Sequence, residues 1–344
     1  MLLPSDTPEV RVQVLLSLGR LGRGVPDAEE AILKYEKDQD HLTRMSAVVA
    51  LANLGKGDDA SIPLLLEAAA SPDEELTKAA NQALAELGKQ KPEKVLPGLL
   101  TRLESAEQNV LVSTLRILRL MKERAAPALP KMMEVYDRLE PKYRLYVIDT
   151  VTALDVDGKE AIPVLTKALD EPDTKQRREA LLGLMKYRAK ADAIRQPLVK
   201  ALGDKDNGNK LLALGMIKGL GKYTPEVLQA LIALTNDPET DVRSAAVTAL
   251  GAVQPPAPEV LPVLKRTVID SALRVRLSSV AALERMVYAF PDEVVTILRE
   301  ARDSEKNERV KTRILTALQF ATQRPKEPPN QAKEGREPAI KTWP

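Results

Sequence analysis

The chain has 344 residues, 44% apolar but only 3% aromatic, so a core built on Phe and Trp is excluded and packing falls to Leu, Ala and Val. Lys and Arg number 51 against 49 Asp and Glu; the net charge of +2 weighs against a dedicated nucleic-acid binder, which carries a marked basic excess. There is no Cys and one His, which excludes disulfides, thiolate chemistry, zinc fingers and His-based metal clusters, and no apolar run is long enough to span a bilayer.

In chain order, Leu2-Leu3-Pro4-Ser5-Asp6 reads as the end of one helix and 9–22 as the next. The chain therefore starts in mid-repeat: it opens with a half-repeat cap or is a piece cut from a longer array, and the cut is the expectation, since a cap should have a polar outer face. It shows neither a basic n-region nor a long apolar h-region, so no signal peptide is visible and a cytoplasmic location is expected. Helix pairs follow. First helices are predicted near 27–37, 59–70, 92–103, 125–138, 159–169, 191–202, 225–235, 258–269 and 291–302. Second helices are predicted near 41–54, 74–87, 107–121, 141–154, 174–187, 207–220, 239–252, 272–288 and 305–322. Turns such as Ser71-Pro72-Asp73 and Glu171-Pro172-Asp173 split each pair, and Gly-rich charged links such as 55–58, 88–92 and 221–225 join one pair to the next. Proline recurs in the first helices at Pro63, Pro97, Pro130, Pro163, Pro197 and Pro262, and modest bends are expected near Pro63, Pro130 and Pro163. From Arg324 the periodicity stops. Residues 324–344 are polar and Pro-rich, predict a disordered tail, and carry the only tryptophan, Trp343.

The pairs repeat every 33 residues. Glu171, Asp204, Asp237, Asp270 and Asp303 share one phase, and six residues after each comes a base: Arg177, Lys210, Arg243, Arg276 and Arg309. Asp38 and Arg44 repeat the pair. Leu51, Leu84, Ile117, Leu184, Ile217, Leu250 and Leu283 form an apolar column on the same period or a multiple of it. In 237–251, Val242, Ala245, Ala246, Ala249 and Leu250 make one apolar face whose small residues let a neighbouring helix come close. One such unit cannot bury its own face, so it needs copies on either side. At the N-terminus this leaves Val12, Leu15, Leu16 and Leu18 without a complete partner helix, and self-association through that end is expected.

The Asp-x5-Arg pair, the Val-Arg-x-x-Ala-x-x-Ala-Leu run and the first-helix proline resemble the HEAT-repeat (armadillo-like) family. The resemblance covers 1–323 and implies an all-α, right-handed α-α superhelix: a solenoid of roughly ten two-helix repeats whose second helices line a concave face. It implies a non-catalytic scaffold or adaptor that holds a peptide or protein there, with no cofactor. Two alternatives resemble other helical-repeat proteins: a nucleic-acid binder like the helical-repeat DNA glycosylases, and an assistant like the bilin lyases. The charge balance and the absence of Trp within the array weigh against the first, and nothing marks the second. The His-Glu pairs of repeat-built di-iron hydroxylases are missing.

The base column has two readings. It is a stripe for phosphates, or each base pairs with the acid six residues before it or with the acid of a neighbouring repeat, which sets register between repeats. Repeats around 105–144 break the column, with Ser105 and Leu111 where acid and base belong and Arg138 where the next acid belongs. Five of the seven tyrosines fall in 136–223: Tyr136, Tyr143, Tyr146, Tyr187 and Tyr223. Arg116, Arg119, Arg178, Lys186 and Arg188 lie on the second helices beside them. Tyr with Arg is the composition of protein-binding hot spots, and departures from local rules gather at functional sites. Arg116, Arg119, Tyr143, Tyr146, Arg178 and Lys186 are therefore the candidate partner-binding set, for an acidic or mixed peptide; the bland alternative is that the tyrosines fill gaps between mismatched repeats. His41 reads as an exposed first-turn residue. No metal or catalytic residue is expected.

Overall fold

The second helices begin where a short side chain can accept a free N–H of the first turn. Asp40, Asp73, Asp173 and Asp206 accept from the backbone N–H of Thr43, Leu76, Gln176 and Asn209. Several first helices begin on a proline, at Pro26, Pro92, Pro225 and Pro291, where the missing N–H costs nothing. In the computed structural model these signals produce helical elements throughout the described residues, 7–220 and 223–323. The expected helix end at 2–6, residues 221 and 222 of one expected link, and the tail from Arg324 with Trp343 lie outside the described residues.

The chain divides into two compact units, Met1–Tyr187 and Arg188–Pro344. In the first, the second helices Pro8–Leu21, His41–Asn53, Glu74–Gln90, Gln108–Met121, Leu145–Leu154 and Thr174–Met185 form one layer, each packed on the next. The first helices Pro26–Leu33, Ile62–Ala68, Pro92–Arg102, Met132–Arg138 and Ala161–Ala168 form the other layer. In the second unit, Asn207–Lys218, Thr240–Leu250, Leu273–Met286 and Glu308–Gln323 stack likewise. They are backed by Ala191–Ala201, Pro225–Leu234, Val260–Thr267 and Pro291–Ser304. The core lies between the layers, as where Leu15, Ile32, Ala47, Ala50 and Leu51 meet. Each unit is thus a short all-helical solenoid.

Small residues set the spacing of the stack. At Gly251 a Cβ would stand 2.6 Å from the Cβ of Ala282, so glycine is what lets these helices approach. Val242, Ala246, Ala249 and Leu250 are buried as expected, whereas Ala245 is half-exposed and lines a surface groove.

Two expectations are corrected. Pro63 and Pro163 lie in the first turns of Ile62–Ala68 and Ala161–Ala168, and Pro130 lies in the 3-10 segment Lys122–Lys131, so none of them interrupts a running α-helix. The chain starts its helix at or after such prolines rather than bending one around them. At the N-terminus Val12, Leu15 and Leu16 are 1–2% exposed, covered by His41–Asn53 and Pro26–Leu33, and Leu18 is half-buried against the same core. Exposure falls instead on Val10 (47%) and Leu21 (81%).

Candidate functional site

Most of the base column is spent within the fold. Arg309 is the exception, exposed and without a side-chain hydrogen bond or ion pair among the described residues, and the acid that Arg276 meets is Glu305 rather than the expected Asp303, which pairs with Arg302. Arg243 donates from Nε and Nη2 to the two carboxylate oxygens of Asp270, 27 residues on, at 3.0 Å each. Its Nη1 donates to the carbonyls of Asp237 and Pro238, in the turn of its own repeat. Arg276 does the same with Glu305 and with the carbonyls of Asp270 and Ser271. Lys210 reaches Asp237 at 2.7 Å, and in the first unit Arg11 reaches Asp38 and Arg144 reaches Glu171, each at 2.8 Å. Of the two structural pairings, the one with the neighbouring repeat's carboxylate is realised; the acid six residues back supplies only its carbonyl.

Four of these acids, all but Glu171, have a second task. The side chain of each accepts the backbone N–H two residues on, closing the turn: Asp38 to Asp40, Asp237 to Glu239, Asp270 to Ala272 and Glu305 to Asn307. Ser71 and Ser105 keep this turn through their hydroxyls, to Asp73 and Glu107. They lack the charge to pair with, and the neighbouring bases change accordingly. Thr77 donates to the Ser71 carbonyl. Arg138, from the following first helix, binds the Ser105 carbonyl that a base at Leu111 would hold, and the Leu103 carbonyl beside it. Arg44, which has no acid at Ser71, contacts His41, and His41 meets Glu67 of the next repeat at 2.7 Å.

The candidate residues separate into two groups. Arg116 and Tyr146 come together: Nη2 donates to the Tyr146 hydroxyl at 2.7 Å, and the guanidinium lies 4.9 Å from the ring centroid. Tyr143 lies in the 3-10 turn Pro141–Tyr143 before the helix, under the Lys142 ammonium. Lys186 donates to the carbonyls of Thr152 and Asp155, closing the C-terminal end of Leu145–Leu154. Its neighbour Tyr187 is buried and donates to the same Asp155 carbonyl at 2.8 Å; burial, then Asp155, pushes its phenol pKa up. Tyr136 is fully buried, its hydroxyl 2.5 Å from Glu171 with Arg144 over its ring, and burial and then Glu171 raise its pKa. Tyr136 and Tyr187 are thus internal fillers with satisfied hydroxyls.

Arg119 and Arg178 are exposed and neither side chain has an ion pair or hydrogen bond among the described residues. Arg119 borders a groove of about 300 Å³ that runs over Gln108–Met121, Leu145–Leu154 and Thr174–Met185. Ile148, Ala153, Leu182 and Gly183 supply apolar wall, Thr152 a hydroxyl, and Asp149 and Glu179 two carboxylates. Both acids are half-buried and neither makes a hydrogen bond or ion pair among the described residues. Burial pushes the Asp149 carboxyl above its ordinary value, Arg119 opposes this, and Glu179 adds to it. These acids were not in the candidate set. Their signal was present: Arg119, Asp149 and Glu179 recur at a spacing of 30, one helical turn short of the period, so they are lateral neighbours across the stack.

Two larger grooves cross other second helices, about 470 Å³ beside Arg20, Asn53 and Gln82 and about 390 Å³ beside Ser244 and Ser278. Their polar groups are largely matched internally, as in Arg20 with Glu75, Arg274 with Asp241, and Ser244 with Ser278. No group of His, Asp and Glu that could hold a metal occurs among the described residues, and no described helix is long and apolar enough to cross a membrane.

A family profile for HEAT repeats matches residues 1–85, 195–284 and 228–319, together more than half of the chain. The chain belongs to the HEAT-repeat family. Solved structures share the fold at low identity. A crystal structure of an engineered protein has TM-score 0.51 and 18% identity, over 93% of this chain and 97% of that one. Kap121p has TM-score 0.54 and 16% identity, over 92% of this chain and 42% of that one. The karyopherin Kap121p bound to the extreme C-terminus of the protein phosphatase Cdc14p has TM-score 0.52 and 16% identity, over 86% and 38%. The HEAT-repeat chain described here thus spans about two fifths of that karyopherin. None of the curated proteins compared with it matches.

Proposed function

We propose that this HEAT-repeat chain is a non-catalytic scaffold that holds a segment of a protein partner on the second helices of residues 105–190, the concave layer in this family. One observation carries the reading. Along the turn edge most charges are paired from repeat to repeat, whereas on these second helices the side chains of Arg119, Arg178, Asp149 and Glu179 make no hydrogen bond or ion pair among the described residues. Beside them the Arg116–Tyr146 pair presents a fixed cation and ring. A protein segment of mixed charge matches such a surface, with Arg gripping carboxylates and Tyr giving contact area at small entropic cost. That a karyopherin of this fold is solved with a protein's C-terminus bound is consistent with it.

The test is capture of partners from extract by the full chain, with identification by mass spectrometry, repeated with Tyr146→Ala/Arg178→Ala. Loss of capture with an unchanged melt supports the site. Retained capture with a large loss of stability makes these residues packing, and the proposal fails.

A further inference from the structure

We propose that the groove between Asp149 and Glu179 takes an arginine side chain of the protein partner. The inference rests on the scaffold reading and specifies what the partner brings to it.

Asp149 is the anomaly. The ladder carboxylates Asp38, Glu171, Asp237, Asp270 and Glu305 each meet a base. Asp149 is half-buried, faces Arg119 from one neighbouring helix and Glu179 from the other, and forms no hydrogen bond or ion pair among the described residues. A partly desolvated carboxylate without a donor is costly to keep ionised. Two carboxylates against one arginine leave the groove net negative in a chain whose total charge is +2. The occupant that relieves this is a cation.

The walls select its form. Axes of packed helices lie about 8–10 Å apart, so acids on adjacent helices leave a gap that one compact ammonium fills poorly. A guanidinium, planar and with N–H groups on several edges, can donate to both acids. Leu182 and Ile148 offer apolar surface for the methylene stem. The volume, about 300 Å³, suits one long side chain with its flanking backbone and lies at the lower end of the range for small-molecule sites, about 300–1,000 Å³. Two carboxylates without a third ligand make a poor metal cage, and the groove opens across three helices, as a peptide backbone requires.

The probe is an acetylated Gly/Ser nonapeptide with a central Leu-Arg, titrated into the full chain with ¹³C-labelled aspartate; Asp149→Asn assigns the resonance. The arginine peptide should shift the Asp149 carboxyl saturably, and the same peptide with citrulline should not. Asp149→Asn should weaken binding at least about tenfold, the loss of one charged hydrogen-bonded contact. Glu179→Gln should weaken it several-fold. Arg119→Gln should leave this purely cationic probe bound as well or better. Asp149→Asn should melt no lower than the parent, which separates lost contact from lost fold. Equal binding of the citrulline peptide, or affinity indifferent to Asp149→Asn and Glu179→Gln, overturns the proposal. Displacement by spermidine at equal concentration also overturns it, because the site would then take free polycations. If Asp149→Asn is silent while Tyr146→Ala/Arg178→Ala still abolishes partner capture, this inference fails and the scaffold reading stands. If the arginine peptide depends on Asp149 while capture survives Tyr146→Ala/Arg178→Ala, the reverse holds.

Discussion

Arg243→Ala tests whether the base column is structural. The side chain makes two hydrogen bonds to the Asp270 carboxylate and two to carbonyls of its own turn, all near 3.0 Å. The two side chains are only 13% and 15% exposed. An exposed pair contributes about 0.2–1 kcal/mol, and removing one partner from a buried pair costs about 3–5 kcal/mol. The ladder lies between these cases, so the expected loss is about 2–3 kcal/mol. It stays below the buried limit because Asp270 keeps the Ala272 N–H and the nearby charge of Arg276. Arg274→Ala is the internal control. Its pair with Asp241 is close, at 2.5 Å, but 67% and 57% exposed, so its loss should stay under about 1 kcal/mol and vanish in high salt. Urea unfolding followed by far-UV circular dichroism, with Asp270→Asn and the double variant completing a cycle, gives the coupling. A solenoid need not unfold in one step, so the slope with denaturant must be compared as well as the midpoint. Equal losses for the two variants would refute the assignment. So would an untouched Arg243→Ala melt with a sharp fall in heparin binding, which would make the column a phosphate stripe.

Acid should loosen the second unit. Burial pushes the Asp270 and Glu305 carboxyls up, but bonds from Arg243 and Arg276, the charges of those bases and backbone N–H groups outweigh it and hold both below their ordinary values. A carboxyl with a depressed folded pKa stabilises fully above its unfolded pKa, about 3.9 for Asp and 4.3 for Glu. That contribution is lost as pH falls through the folded value, so melts should hold from neutrality to about pH 5 and decline below about 4. Asp270→Asn should flatten the decline. Asp149 has the opposite sign: its pKa is raised, so its ionised form weakens the fold. Asp149→Asn should therefore raise the melting temperature at pH 7, and the gain should fade as acid protonates the parent. Asp155→Ala should cost about 3 kcal/mol or more in chemical denaturation. The Asp155 carboxylate is 4% exposed and accepts from the N–H groups of Asp157, Gly158, Glu160 and Ala161. Adding a chelator should leave the melting temperature unchanged; a clear drop would expose a metal site.

The fold was legible because its determinants are local and repeated. A proline or short acceptor starts many of the helices, alanine and leucine recur at helical spacing, and 33 residues later similar choices return. The period does not encode which of two equivalent carboxylates a base will reach. Arg243 lies six residues from Asp237 in sequence, yet its guanidinium reaches Asp270 because the second helices stack side by side and bring the next turn alongside. Nor does a broken column announce its repair. Arg138 looked like a charge in the wrong place; it holds the Ser105 carbonyl that Leu111, standing where a base belongs, cannot reach with a donor. The bend expected at Pro63, Pro130 and Pro163 failed for a related reason. Proline positions were legible, but where the helix starts depends on the segment before it, a 3-10 turn at Pro63, a 3-10 segment around Pro130 and a plain turn before Ala161–Ala168.

The site was legible in part, and the reason is geometric. Tyrosine and arginine draw the eye because their composition is unusual, and Arg116 with Tyr146 does form a surface pair. Lys186 and Tyr187 share that composition but are spent on the Asp155 carbonyl. Asp149 and Glu179 were passed over because acids are common along the chain and mostly sit in turns and first helical turns. What distinguishes them is the absence of a partner, which only the stacking of three helices decides. The same stacking assigns the two edges different work. Charges on the turn edge face the next repeat's turn and are consumed in holding register, so a change there is answered by a compensating change nearby, as with Ser105 and Arg138. Charges on the second-helix surface face no neighbouring turn, so an unmatched one weakens the fold without breaking it. An unpaired, half-buried acid can persist there at modest cost, and the contact that would satisfy it must come from outside the chain.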